Sequence, residues 1–138
     1  QENLQDLIDT LGANDYIKLR GHADLRDVYP QYELYVTTSQ WETFGLTLME
    51  AVGAGLALVG FDARYGNPTF IKDGENGYLV TYSETMDEDL LVSQMADKIV
   101  FALESNLESM HQASYDLAKQ YLKPEILEAW RKLLIAIR

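Results

Sequence analysis

Leu56-Ala57-Leu58-Val59-Gly60 is a continuous apolar run that follows the Gly53-Ala54-Gly55 break. A strand with one wet face alternates apolar and polar side chains, whereas a strand covered on both faces does not. The run therefore commits the chain to a buried strand with a layer on each side. Leu34-Tyr35-Val36, within Tyr32–Thr37, and Tyr78-Leu79-Val80 have the same character. Tyr16-Ile17-Lys18-Leu19, closed by Gly21, is a further short candidate. Helical segments separate these runs. Residues 2–11 carry a Leu4, Leu7, Ile8, Leu11 stripe that stops at Gly12; Asp24–Val28 is a short helix before Pro30; Leu46–Val52 ends at Gly53. Parallel strands need such crossovers. The expected fold is α/β, a Rossmann-like parallel sheet of about four strands flanked by helices. Gly66-Asn67-Pro68 is expected to break the chain and Phe70-Ile71 to open a short helical turn. Asp73-Gly74 and Asn76-Gly77 are turn signals.

The last third is helical. Leu91, Met95, Ile99 and Leu103 recur at four-residue steps between Asp87 and Leu103. Asn106 is placed to cap a second helix, with Leu107, Met110, Leu117 and Tyr121 inward. Pro124 suits the first turn of a third, which carries Leu127, Trp130, Leu134 and Ile137. No strand follows, so the chain is expected to end in a helical tail that packs on something else. About four strands is short of the roughly five or six of a doubly wound domain. The chain also opens on a helix. Both points favour a segment of a longer polypeptide, with Gln1 as its boundary, over a small complete domain.

Composition narrows the function. The 138 residues carry 11 basic and 22 acidic side chains, a net charge of −11. An acidic surface disfavours nucleic acid as a partner and limits membrane contact to peripheral association. Without cysteine there are no disulfides or thiolate metal sites. Two histidines, His22 and His111, are too few for a histidine-built zinc centre. No apolar run approaches the ~20 residues of a membrane span, and no signal-peptide pattern opens the chain. The expected location is cytoplasmic.

Ligands of open parallel sheets bind beyond the carboxyl ends of the strands. Val36-Thr37-Thr38-Ser39 is such an end, and Glu42 follows it. A helix starting near Gly45 points its N-terminus at the same place, where free N–H groups attract phosphate oxygens. Gly45 lets backbone approach a ligand closely. Glu50 lies about 8 Å further along that helix at ~1.5 Å per residue. Two carboxylates flanking a helix mouth suit a ligand with hydroxyls at both ends and negative charge between them, such as a nucleotide sugar. Spacing alone equally allows a solvated loop glutamate and a helix-surface glutamate. Glu50 sits among Leu46, Leu48, Met49, Ala51 and Val52, which marks either a narrow polar face or a site.

The stretch Ser39–Leu58 resembles the signature of retaining glycosyltransferases of the GT-B fold: a serine, then Glu42-Thr43-Phe44-Gly45-Leu46, then Glu50-Ala51 and a glycine before a strand. Tyr65-Gly66-Asn67-Pro68, Ile71-Lys72-Asp73-Gly74 and Asn76-Gly77-Tyr78-Leu79-Val80 continue it in order. Gly21-His22-Ala23-Asp24-Leu25, the run Phe44–Val52 and the run Gly60–Ile71 look most like the accessory-Sec glycosyltransferases. Those enzymes move N-acetylglucosamine from UDP-N-acetylglucosamine to Ser/Thr of serine-rich repeat adhesins. They work with a homologous partner subunit that holds the acceptor.

The resemblance implies that residues 1–138 are part of the C-terminal, donor-binding domain, without the N-terminal acceptor domain. It implies Glu42 as the catalytic group at the donor sugar and Glu50 on the ribose diol. Phe44, Gly45 and Leu46 would present backbone N–H groups, with Thr43 beside the sugar. Arg20 and His22 would lie beside the nucleobase. It implies a UDP-sugar donor, no cofactor and no metal. The isolated chain is expected to be inactive and to bind nucleotide weakly. Wall teichoic acid glucosyltransferases, which act on a polyol-phosphate cell-wall polymer, carry similar blocks. A non-catalytic partner subunit of the same fold is a further alternative. A Rossmann dehydrogenase is disfavoured by the lack of a Gly-x-Gly-x-x-Gly turn. The family has glycine where Thr43 stands. A β-branched residue there opposes a positive φ and adds bulk at the sugar. Arg64 reads as an exposed turn residue, Asp62 as structural, and Trp41, Tyr65 and Phe70 as packing residues.

Overall fold

The computed structural model describes residues 2–137, so Gln1 lies outside the described residues. Helix α1 spans Glu2–Thr10, α2 Leu25–Val28, β1 Leu34–Thr37, α3 Leu46–Gly53 and β2 Ala57–Phe61. Helix α4 spans Gly66–Phe70, β3 Gly77–Val80, α5 Glu88–Glu104, α6 Leu107–Ala118 and α7 Lys123–Ala136. The strands form one parallel sheet in the order β1-β2-β3. Leu34 registers with Ala57 and Leu58 with Gly77.

All five residues of β2 are buried. Leu58 joins Leu48, Val52, Phe70, Ile71 and Leu117 on one face. Val59 and Phe61 join Val80, Leu91 and Met95 on the other. Two-sided burial is what the unalternated run requires. At Gly77 a Cβ would stand 1.8 Å from the Leu58 carbonyl oxygen, so glycine sets how closely β3 lies on β2. Ser114 locks α6 to the sheet by donating to the Leu56 carbonyl at 2.6 Å. Asn76 is buried and donates to Phe70 O and Ser114 Oγ, so it is a core residue rather than an exposed turn residue.

Three expectations change. The sheet has three strands among the described residues, not four. Tyr16–Leu19 is exposed, and its backbone bonds only locally, to Ala13. An apolar run becomes a strand only where a neighbouring edge accepts it, and among the described residues none pairs with this one. Gly66-Asn67-Pro68 does not break the chain; it opens α4. Proline is tolerated there because the first helical N–H groups have no intrahelical acceptor. In the tail, Leu103 is exposed and Leu107 only half-buried. Asn106 does cap α6, accepting from Ser109 N at 3.2 Å. Helix α7 buries none of its residues. Leu127, Trp130, Leu134 and Ile137 are exposed.

Candidate functional site

The carboxyl ends of β1 and β2 are tied by Asn67, whose Nδ2 donates to Ser39 O at 3.2 Å and Phe61 O at 2.8 Å. Beyond this tie, Glu42 joins the next loop through its backbone. Its N–H donates to Arg64 O at 3.1 Å, and its carbonyl accepts from Gly66 N at 2.7 Å. The half-buried Glu42 side chain is rooted between two glycines. A Cβ on Gly66 would lie 2.7 Å from Glu42 Cγ and 2.5 Å from Phe44 O; one on Gly45 would lie 3.2 Å from Glu42 Cγ. The two glycines thus leave room for the Glu42 side chain at Cγ, where a larger residue at either position would crowd it.

Gly45 begins α3 with φ 85° and gives no side-chain cap. Only a glycine holds that left-handed conformation at little cost. The first intrahelical bond runs from Met49 N to Gly45 O. The N–H groups of Leu46, Thr47 and Leu48 therefore have no intrahelical acceptor. Thr43, Phe44 and Leu46 are exposed around this mouth, and the Phe44 ring meets Phe70 edge to face at 5.3 Å. No described residue other than glycine has a positive φ, so the backbone cost expected at Thr43 does not arise. The left-handed position falls two residues later, on Gly45.

Glu50 is exposed and opens into a cleft of about 770 Å³ lined also by His22, Asp24, Leu25, Tyr29 and Gly53. The structure thus brings His22 and Glu50 together. Arg20 is exposed and does not line this cleft. Glu42, Thr43, Phe44, Gly45 and Leu46 also lie outside its lining, toward the other end of α3. Sequence reasoning missed Asp24 and Tyr29 as cleft residues. Asp24 caps α2 and pairs with Arg26 at 2.6 Å. The Arg26 guanidinium holds its carboxyl below the usual range. The visible signal was an aspartate just ahead of a short helix. Among the described residues no three His, Cys, Asp or Glu side chains are grouped to hold a metal ion.

Burial, reinforced by Tyr35 and Glu50, pushes the Tyr29 phenol up to about 12. Its hydroxyl donates to Thr47 O at 3.1 Å, in the first turn of α3. The folded value exceeds the unfolded value of ~10. This contribution to stability is therefore complete below pH ~10 and is lost as pH rises through about 12. Tyr29→Phe is expected to lose roughly 1 kcal/mol at neutral pH with the hydrogen bond. It should also fall less steeply in urea-melt stability above pH ~10 than the parent. Parallel stability curves for the two chains would exclude this role.

A second cleft, about 330 Å³, is lined by Gln40, Trp41, Asp62, Arg64, Tyr82 and Glu84 among others. Trp41 and Tyr65 are not the packing residues expected; they are 66% and 58% exposed and meet edge to face at 6.3 Å. Phe70 is fully buried, as expected.

The α/β sheet carries a glycine-bounded glutamate, an uncapped helix mouth and a second glutamate along one helix. The profile of glycosyl transferases group 1 matches residues 1–119. The chain belongs to this family. It is 48% identical over 139 positions to the UDP-N-acetylglucosamine–peptide N-acetylglucosaminyltransferase GtfA subunit of Streptococcus gordonii, covering all of this chain and 28% of that protein. The corresponding subunit of Streptococcus pneumoniae is 51% identical over 130 positions, covering 94% of this chain and 26% of that protein. The crystal structure of the pneumococcal O-GlcNAc transferase GtfA in complex with UDP and GlcNAc superposes with a TM-score of 0.89 at 48% identity. That match covers 99% of this chain and 27% of that one. The GT-B fold expected from the sequence therefore holds. The chain spans about a quarter of the length of the curated relatives it matches.

Proposed function

We propose that residues 1–138 form the donor-binding part of the C-terminal domain of a retaining glycosyltransferase. The whole protein transfers N-acetylglucosamine from UDP-N-acetylglucosamine to Ser/Thr of a serine-rich protein in the cytoplasm. The observation that carries this reading is the geometry of α3: an uncapped N-terminus beside Glu42 and a cleft at Glu50. The uridine occupies the cleft beside His22, with its ribose diol on Glu50. The diphosphate meets the free N–H groups of Leu46, Thr47 and Leu48, where the helix dipole offsets the leaving charge. The sugar lies over Phe44 and Gly45 against Glu42, whose carboxylate stabilises positive charge developing at the anomeric carbon. Thr43 borders the sugar. Arg20 lies outside the cleft lining, so the contact beside the nucleobase falls to His22.

A peptide acceptor fits better than a cell-wall polymer. Relatives named as peptide N-acetylglucosaminyltransferases are 40–51% identical. Those named for poly(ribitol-phosphate) and poly(glycerol-phosphate) are 34% and 28% identical. A structure described as a GtfA/B complex supports a partner subunit, which the accessory-Sec assignment also requires. No described helix is long and apolar enough to cross a membrane.

Calorimetric titration of UDP tests the site. Hydrogen bonds to a charged acceptor contribute ~1.5–3 kcal/mol each. Glu50→Ala is therefore expected to weaken UDP binding about 10- to 100-fold. Affinity indifferent to that substitution would remove Glu50 from the ribose.

A further inference from the structure

Trp41 and Arg64 border the 330 Å³ cleft, yet they sit directly beside the Glu42 backbone: Trp41 precedes it in sequence, and Arg64 O accepts its N–H. The Glu50 cleft and this one share no lining residue. We propose that the second cleft is a separate sugar subsite, which binds a neutral hexopyranose ring that is not attached to the nucleotide. The assignment rests on the donor reading only for its relation to Glu42.

Three observations carry it. The first is an exposed aromatic wall: Trp41 lines the cleft, and Tyr65, just outside its lining, meets the Trp41 ring edge to face. Trp41 and Tyr65 leave more than half of their surface in water, although each is large enough to be worth burying. A pyranose has one face of C–H groups and a rim of hydroxyls, so it needs an aromatic wall with polar groups at its edge. The second is the composition of that edge. Gln40, Asp62, Arg64 and Glu84 line the same cleft. Asp62 and Glu84 accept, Arg64 donates and Gln40 does both. Among the described residues the Arg64 guanidinium has no carboxylate within ion-pair distance, and the Asp62 and Glu84 carboxylates have no cation. Their hydrogen-bonding capacity is available to a ligand. The third is charge. Two carboxylates against one guanidinium repel a diphosphate and leave a neutral polyol as the suited guest. The volume lies at the low end of the ~300–1,000 Å³ typical of small-molecule sites, enough for a ring rather than a nucleotide sugar. Tyr82, whose ring meets that of Phe61 at 5.4 Å with the planes 39° apart, anchors the inner side to the core. A ring held here lies beside the Glu42 backbone, in a cleft that shares no lining residue with the one at Glu50, which suits a sugar already installed on the acceptor.

The test is an NMR titration of the ¹⁵N-labelled chain saturated with UDP, using methyl α-N-acetylglucosaminide as probe. The Trp41 indole N–H and the amides of residues 62–64 and 82–84 are expected to shift together and saturate with a Kd on the order of 1–10 mM. The Trp130 indole, exposed on α7, should not move. Trp41→Ala and Arg64→Ala, both surface changes, should each abolish the saturable shift while leaving UDP shifts at His22 and Glu50 intact. Two results overturn the proposal. One is the absence of a saturable Trp41 shift. The other is a shift produced by UDP-N-acetylglucosamine but not by the free glycoside, which would assign the cleft to the donor's own sugar. Omitting UDP separates the two readings: glycoside binding without any UDP binding would keep this subsite and remove the donor site.

Discussion

Gly77→Ala is expected to lower the stability of the chain by roughly 4 kcal/mol or more. The added Cβ would lie 1.8 Å from Leu58 O, 2.7 Å from Leu58 C and 2.9 Å from Leu58 N. All three are backbone atoms of the central strand, so no side chain can rotate away. Relief requires β3 to move off β2. That move strains the Leu58–Gly77 and Val59–Tyr78 register. It also strains the Leu58 N to Asn76 O bond. Asn76 belongs to the polar link through Ser114 to α6, so displacement spreads to that helix. Ordinary overpacking costs ~1–3 kcal/mol. A backbone clash in the middle of a three-stranded sheet should exceed that, reaching roughly 4 kcal/mol or more. Against a total stability of ~5–15 kcal/mol, this removes between roughly a quarter and most of the margin. Gly74→Ala is the control. Its φ is 77°, yet nothing lies within 4 Å of its Cβ. It should cost only the ~1–2 kcal/mol of a left-handed alanine. Circular dichroism melts of the two variants decide the matter. Equal losses would mean that backbone conformation, rather than the close approach to Leu58, accounts for the glycine at 77.

The contrast shows what a single sequence carries. Leu56–Gly60 was legible because two-sided burial removes alternation, and the fold class follows from that one pattern. Gly45 was legible because a glycine before an apolar helix has few other uses. Asn76-Gly77 was located as a turn, but its physical role depends on Leu58 and Ser114, nearly 20 residues before it and nearly 40 after it. Tyr16–Leu19 fails for the opposite reason. Its composition is that of a strand, but a strand also needs a partner edge, which composition does not report. The site divides in the same way. Glu42 and Glu50 are close in sequence and could be found by spacing. Asp24 and Tyr29 reach the Glu50 cleft from α2 and the turn after it, and Gly66 reaches Glu42 from α4. No local period records those meetings. The exposure of Trp41 and Tyr65 was equally hidden, because an aromatic side chain reads the same in a core and on a binding surface.

On the proposed function, Glu42→Gln is expected to separate chemistry from nucleotide binding in the whole protein. Glutamine has the shape of glutamate and fits the slot between Gly45 and Gly66, so the loop that bonds Arg64 and Gly66 should stay in place. What is lost is the negative charge. If that charge faces the anomeric carbon as the C–O bond to UDP breaks, its stabilisation is larger in the transition state than in the bound donor, and the loss appears in kcat. Removing one preorganised electrostatic group typically costs about 10²–10³ in rate, roughly 2.7–4 kcal/mol. UDP affinity should change less than about 3-fold, because the Glu50 cleft does not include Glu42. Glu50→Ala should do the reverse, raising KM for the donor while leaving a larger share of kcat. Steady-state transfer rates with UDP-N-acetylglucosamine and a serine-containing peptide, read beside UDP calorimetry, distinguish the two glutamates. A Glu42→Gln enzyme with near-normal kcat would make the glycine slot a structural device for the β1–α3 loop. Glu42 would then not be the catalytic carboxylate.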